Sequence, residues 1–215
     1  MFKIAMTMGG LSYYPYIGIA SLLRDDTLQR LRNGYAQVGL GVPTGVDLPG
    51  ETAGVIGVPD SPGKVLDITI GQFDTYTPLQ LVQYVSTIAN GGYRVQPRLL
   101  KEIRKPSKDG QMLGPLVEEI KPKILNRLDN TQDEIDRVRE GFRRVYYGAR
   151  GTARSNFANT AYTAAGKTGT AEVVYFGPQE DRYFTNTINL VHIGFAPFDK
   201  PEVAYAVVIP WASIN

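Results

Sequence analysis

The sequence of 215 residues contains no cysteine. That absence excludes disulfide frameworks, thiol nucleophiles and thiolate metal sites together. Histidine occurs once, as His192, so a multi-histidine metal site cannot be built. Charge of one sign is missing as well. The 23 basic and 21 acidic residues are interspersed and leave a formal net charge of +2, which provides no field to attract nucleic acid or acidic lipid, and nucleic acid is excluded as a partner. No apolar run approaches the length of a membrane span, and the opening Met1-Phe2-Lys3-Ile4-Ala5-Met6 lacks the pattern of a signal peptide. Repeats and low-complexity segments are also absent.

What is present is the composition of a folded soluble protein, 43% hydrophobic and 20% charged. The length suffices for one domain with a sizeable core, or for most of a larger domain. Residues 1–8 and 17–24 read as short helical pieces, broken by Gly9-Gly10 and by Pro15 within Tyr13-Tyr14-Pro15-Tyr16. Those tyrosines are expected to pack rather than to form a sugar platform. From Gly39 to Gly63 glycine and proline recur too often for helix, and so long a loop suggests a functional role. Residues 65–70 read as a strand. A helix is expected from about Pro78 to Asn90, with Leu79, Val82, Val85, Ile88 and Ala89 as its apolar stripe and Asn90-Gly91-Gly92 as a left-handed cap.

Tyr93 to Ile103 should then run extended, and residues 104–123 should form a surface hairpin or loop. Thr131 with Glu134 fits a capping box, and Ile135, Val138, Phe142, Val145 and Tyr146 recur at helical spacing up to Gly148. Arg143, Arg144 and Arg150, near the end of that helix, are expected to meet water and the helix C-terminus. Tyr162 to Tyr175, Thr187 to Ala196 and Val203 to Pro210 are rich in β-branched and aromatic residues, which predicts an antiparallel meander. His192 falls inside the middle strand, where a packed residue is expected rather than a base. Trp211 is expected to anchor a strand end. The fold class is therefore α+β, an antiparallel sheet with helices packed on it.

Gly166-Lys167-Thr168-Gly169-Thr170 is the segment that carries chemistry. As a phosphate-binding loop it would need a glycine where Ala161 stands and a helix where Ala171-Glu172-Val173-Val174-Tyr175 reads as strand. On a strand the same residues work differently. Lys167 supplies a fixed positive charge, Thr168 and Thr170 add hydroxyls suited to a carboxylate, and Gly169 removes a side chain that would block close approach. Serine acyltransferases use Lys-Thr-Gly in this way, beside an upstream Ser-x-x-Lys and a Ser-Asp-Asn. The bland alternative is a surface strand with an exposed lysine.

The surrounding residues extend the pattern. Ile70-Gly71-Gln72, Thr77-Pro78-Leu79-Gln80-Leu81, Ile88-Ala89-Asn90-Gly91-Gly92 and Arg94-Val95-Gln96-Pro97 occur in the order and spacing seen in class B penicillin-binding proteins. Thr44-Gly45-Val46-Asp47-Leu48-Pro49-Gly50-Glu51 resembles the family's loop before the helix, and Gly151-Thr152-Ala153 resembles the piece preceding the Lys-Thr-Gly strand. The chain thus resembles the C-terminal portion of a penicillin-binding transpeptidase domain, of the fold shared with serine β-lactamases. The resemblance implies that residues 1–215 are an incomplete domain lacking the upstream segment with Ser-x-x-Lys and Ser-x-Asn, and that a closing helix is also missing. Ser61-Pro62-Gly63-Lys64 matches the first pattern but lies in the Pro/Gly loop, after segments that should follow the true motif, and reads as a turn. Ser213-Ile214-Asn215, at the end of the chain, is read as a chance match to the second.

By the same resemblance, Lys167 serves the electrostatics of acyl transfer and docks a substrate or antibiotic carboxylate. Thr168 and Thr170 hydrogen-bond that carboxylate, Gly169 admits the ligand, and the Thr170 backbone N–H is one oxyanion-hole donor. Gln72 stands where the family often reads Gly-Gln-Gly, with Phe73 replacing the second glycine. The implied function is D,D-transpeptidation of peptidoglycan stem peptides ending in D-Ala-D-Ala, inhibited by β-lactams, in a parent protein anchored in the bacterial cell membrane with its catalytic domain outside. The implied partners are the stem peptide, β-lactam antibiotics and the missing N-terminal part of the domain, and no metal or cofactor is implied. The isolated chain should be inactive for want of the serine. A β-lactamase or D,D-carboxypeptidase of the same fold, or a non-catalytic scaffold that keeps it, are the alternatives.

Overall fold

The computed structural model describes residues 27–60, 62–107, 110, 113–175, 178 and 187–212. The helical pieces expected at 1–8 and 17–24, the tyrosines at 13, 14 and 16, Ser61 and the terminal Ser213-Ile214-Asn215 lie outside these residues.

Helix α1 (Thr27–Gln37) leads into the long loop, and helix α2 (Pro62–Thr69) ends it. The strand expected at 65–70 is thus a helix. Proline at the first helical position supplies a preset φ, and an apolar run this short does not separate strand from buried helix by its pattern. Ile68 is fully buried, and its carbonyl accepts the Tyr35 hydroxyl at 2.8 Å, which ties α2 to α1.

Helix α3 (Pro78–Ala89) is capped by Thr77 through a complete capping box, with Pro78 at its start. Gly91 and Gly92 follow at φ +81° and +95°, the left-handed ending that the sequence announces. The buried face of α3 differs from the apolar stripe. Gln80, Gln83 and Thr87 are buried beside Val85, Ile88 and Ala89, whereas Leu79 and Val82 are half-buried. The reason is hydrogen bonding: a buried loop backbone must be satisfied, and glutamine amides reach it. Gln80 Nε2 donates to the carbonyls of Val42 (2.8 Å) and Ala53 (3.0 Å), and Gln83 Nε2 donates to those of Thr44 (3.1 Å) and Val95 (2.9 Å).

Two small ribbons follow. Strand β1 (Tyr93–Val95) pairs antiparallel with β4 (Ile124–Arg127), and β2 (Glu102–Arg104) pairs with β3 (Leu116–Glu119). The extended run Tyr93 to Ile103 is therefore split between two ribbons, and 104–123 holds the expected hairpin. Helix α4 (Gln132–Tyr147) has the predicted Thr131/Glu134 capping box and buries Ile135, Phe142 and Tyr146. A short helix, α5 (Arg154–Phe157), precedes the main sheet.

That sheet is an antiparallel meander in the order β5 (Ala165–Val173), β6 (Thr187–Ala196), β7 (Val203–Ala212). Pairing is continuous from Ala165↔Phe195 to Val173↔Thr187. Helix α4 packs on β5, and α3 on β6 and β7. Between them lies a core with Tyr84, Val85, Ile88, Phe142, Ala165 and Phe195. Burying a side chain such as Phe142 or Phe195 is worth about 1.5–3 kcal/mol. Arg143 and Arg144, expected to meet water and the helix end, both reach back one turn to Glu140, at 3.2 and 3.1 Å.

Candidate active site

Strand β5 is an edge strand, paired with β6 alone among the described residues. Residues 167–170 are fully extended within it, so their outer backbone edge faces away from the sheet. Strand alternation sets Lys167 on the face of the buried Ala165, Ile193 and Phe195, and Gly166 and Thr168 on the opposite one. Lys167 Nζ donates to the Thr168 carbonyl at 2.5 Å, which keeps the ammonium close to the strand. The Thr168 hydroxyl lies 2.8 Å from that of Thr152, and Thr170 is exposed.

Beside this edge is a cavity of about 490 Å³ between Lys167, the last turns of α4 and the turn that follows it. Phe142 and Val145 form an apolar wall, while Arg144, Arg150, Thr152 and Lys167 line the remainder. A cationic and hydroxyl-bearing rim around an apolar floor suits a peptide that ends in a carboxylate. Among the described residues no cluster of three or more metal-ligating side chains is found.

The two glycines of the motif have different neighbours. A Cβ on Gly166 would lie 2.0 Å from the Tyr146 hydroxyl oxygen and 2.5 Å from the Ile193 carbonyl, so the chain's own packing requires glycine there. On Gly169 the nearest atom would be Val191 Cβ at 3.4 Å, so this position is open from within. His192 is a packed strand residue, in contact with Tyr146, Phe157 and Tyr205, as expected of it. Burial, and then the positive charge of Lys167, hold its imidazole below the usual value of 6.5. Burial pushes the Tyr146 phenol far up, so it stays protonated. Trp211 does close a strand end, its ring edge-on to Tyr175 at 5.2 Å.

Gln72 lies in the turn after α2, where its N–H donates to the Asp67 carbonyl at 2.8 Å. Among the described residues no hydrogen bond links its side chain to β5. Phe73 beside it has φ +76°, a left-handed conformation that favours glycine. Its ring rests on Gly57, where a Cβ would meet Cε1 at 2.4 Å. Of the Ser61-to-Lys64 match, residues 62–64 open helix α2 where the sequence predicts a turn, and Lys64 pairs with Asp60 at 2.7 Å. Sequence reasoning passed over Thr152 and Arg150 as site residues. The only local signal was Gly151-Thr152-Ala153 after an amphipathic helix, and their approach to Lys167 depends on how α4 meets β5.

Residues 14–214 match the model of the penicillin-binding protein transpeptidase domain. Penicillin-binding protein 2A of Bacillus subtilis is 44% identical over 215 residues, which are 100% of this chain and 29% of that protein. Peptidoglycan D,D-transpeptidase MrdA of Haemophilus influenzae is 30% identical over 201 residues, 85% of this chain and 29% of that one. Among solved structures, penicillin-binding protein 2B of Streptococcus pneumoniae superposes with a TM-score of 0.78 at 35% identity, covering 87% of this chain and 30% of that chain. The chain therefore spans under a third of the length of these relatives. Since the family match takes in the β5 edge and every residue lining the cavity beside it, this chain belongs to the penicillin-binding protein transpeptidase domain family.

Proposed function

We propose that this chain is the C-terminal part of a serine D,D-transpeptidase domain, in a longer protein that cross-links peptidoglycan stem peptides. The observation that carries this reading is the extended edge Lys167 to Thr170 beside a cationic cavity. An incoming peptide that ends in D-Ala-D-Ala pairs with the β5 edge as an added strand. Lys167 supplies positive charge for its terminal carboxylate, the Thr168 and Thr170 hydroxyls donate to it, and Gly169 leaves room for it. The Thr170 N–H stabilises the oxyanion. Gln72 joins the substrate-binding set through the likeness of Gly71-Gln72 to the family turn.

In this reading the nucleophile is a serine of a Ser-x-x-Lys segment upstream of residue 1, and the 29% share of the relatives' length supports a longer parent. The serine oxygen attacks the carbonyl of the penultimate D-Ala, its proton passes to the lysine of that segment, and D-Ala leaves with a proton. A neighbouring stem amine then displaces the serine. A β-lactam acylates the same serine. The parent is anchored in the cell membrane with this domain outside, and no described helix of this chain is long and apolar enough to span a bilayer.

Mass spectrometry after incubation with a labelled penicillin tests this. The longer protein acquires one covalent adduct and the 215-residue chain none. Substituting Lys167→Ala in the longer protein slows acylation by about 10²-fold or more, the scale seen when one electrostatic contact of an acyl-transfer site is removed. A stable adduct on the short chain overturns the assignment of the nucleophile, and a longer protein that is never labelled overturns the function.

A further inference from the structure

Behind the β5 edge the chain brings three polar aromatic side chains into contact. The Tyr146 hydroxyl, from the last turn of α4, lies 2.9 Å from His192 Nε2 on β6 and 2.6 Å from the Tyr205 hydroxyl on β7. Tyr146 is fully buried, and Phe157 stacks on it at a centroid distance of 3.9 Å and an interplanar angle of 14°. Phe157 also meets the His192 ring edge-on at 5.4 Å. Two glycines make room for the hydroxyls. A Cβ on Gly194 would fall 2.6 Å from the Tyr205 oxygen, and the one on Gly166 would fall 2.0 Å from that of Tyr146. Gly166 immediately precedes Lys167, and Thr168 is the register partner of His192. The backbone that presents Lys167 and Thr168 thus rests on this cluster.

We infer that Tyr146, His192 and Tyr205 are positioning residues for the acyl-transfer edge, a hydroxyl–imidazole chain that holds Gly166 to Thr168 from behind with unprotonated His192 Nε2 as its terminal acceptor. The inference rests on the transpeptidase reading for its purpose, but not for its geometry. With His192 neutral and its proton on Nδ1, Tyr205 donates to Tyr146 and Tyr146 donates to Nε2, so both close contacts are satisfied. Protonation turns Nε2 into a donor. The Tyr146 oxygen must then accept from Nε2, and one of the two phenolic protons has to turn away from the cluster. A second cation would also arise near Lys167.

Among the described residues, the titratable groups around His192 are Tyr146 on α4 and Tyr205 on β7, which touch it, and Lys167, which acts on it through its charge from the other face of β5, with Tyr162 acting on both tyrosines. Lys167 opposes a charge on the ring, and both tyrosines are raised by burial and remain neutral donors. The neutral arrangement is therefore complete above the ordinary imidazole value of 6.5 and is lost as pH falls through the lowered folded value.

The 215-residue chain has one histidine, so its imidazole signals are unambiguous. Ring-nitrogen and backbone-amide NMR between pH 8 and pH 4 should show the Nδ1–H tautomer at neutral pH, with a midpoint below 6.5. The amides of Gly166, Lys167 and Thr168 should shift with that same midpoint. Tyr146→Phe keeps the stacked ring but removes the donor to Nε2, and should raise the midpoint. His192→Phe should erase the shared midpoint from the strand amides. A ring protonated at Nε2 at neutral pH, strand amides indifferent to the titration, or a midpoint unmoved in Tyr146→Phe would each overturn the inference. None of these signals depends on acylation, so they stand or fall separately from the penicillin test.

Discussion

Gly166 and Gly169 lie on one strand but answer to different neighbours. At Gly166 an added methyl group would run into the Tyr146 hydroxyl and the Ile193 carbonyl, both held by packing. Gly166→Ala should therefore cost about 1–3 kcal/mol, the usual range for overpacking, read from the midpoint of urea denaturation. At Gly169 the methyl group meets Val191 Cβ only at 3.4 Å, and Gly169→Ala should change stability by less than about 1 kcal/mol. An equal loss in the two variants would show that the Tyr146 contact is not what requires Gly166. From the sequence alone both glycines look like parts of one motif, because the close approach to Gly166 comes from α4, twenty residues earlier in the chain. Phe73 carries a related lesson. That a phenylalanine stands there is legible in the sequence, whereas its left-handed φ of +76° is not.

At the scale of elements, the loop Thr44 to Glu51 is held by two carboxylates. Asp47 accepts the N–H groups of Leu99 (2.7 Å) and Leu100 (2.8 Å), and Glu51 accepts those of Thr44 (2.7 Å) and Gly45 (3.0 Å) together with the Thr44 hydroxyl. The N–H groups of Leu100 and Leu99 hold Asp47 below its ordinary value of 3.8. The Thr44 and Gly45 donors hold Glu51 below 4.5, against the burial that pulls it upward. Because the folded values are the lower ones, this support is complete above the ordinary carboxylate range and disappears as pH falls through the folded values. The amides of Thr44, Gly45, Leu99 and Leu100 should move together below about pH 4.5 while those in the centre of β6 stay in place. Amides of these four residues that titrate independently of one another would show that the carboxylates are not what closes the loop. Such ties also explain which elements were legible. The caps of α3 and α4 and the three long strands announce themselves through local chemistry. Helix α2 does not, because its eight residues carry too little periodicity to outweigh a β-branched appearance.

Across the whole molecule, α4 packs on β5 and α3 on β6 and β7, while Leu190, Val207, Ile209 and Trp211 of β6 and β7 are each more than a third exposed. Apolar side chains also stand out on the small ribbons, Leu116 and Val117 among them. Surface of this kind drives association. The 215-residue chain should therefore sediment with a concentration-dependent mass, and a monodisperse monomer at tens of micromolar would contradict this reading of the exposed surface.

Composition, caps, turn glycines and strand alternation settle the α+β class, the meander and the extended state of Lys167 to Thr170 without reference to anything distant, since each depends on residues within a few positions of one another. The burial of Gln80 and Gln83, the cavity shared by Arg150, Thr152 and Lys167, and the meeting of Tyr146, His192 and Tyr205 join residues far apart in the chain. Those depend on how α4 and the loop settle against the sheet, where the backbone groups left unpaired by one segment choose their partners in another.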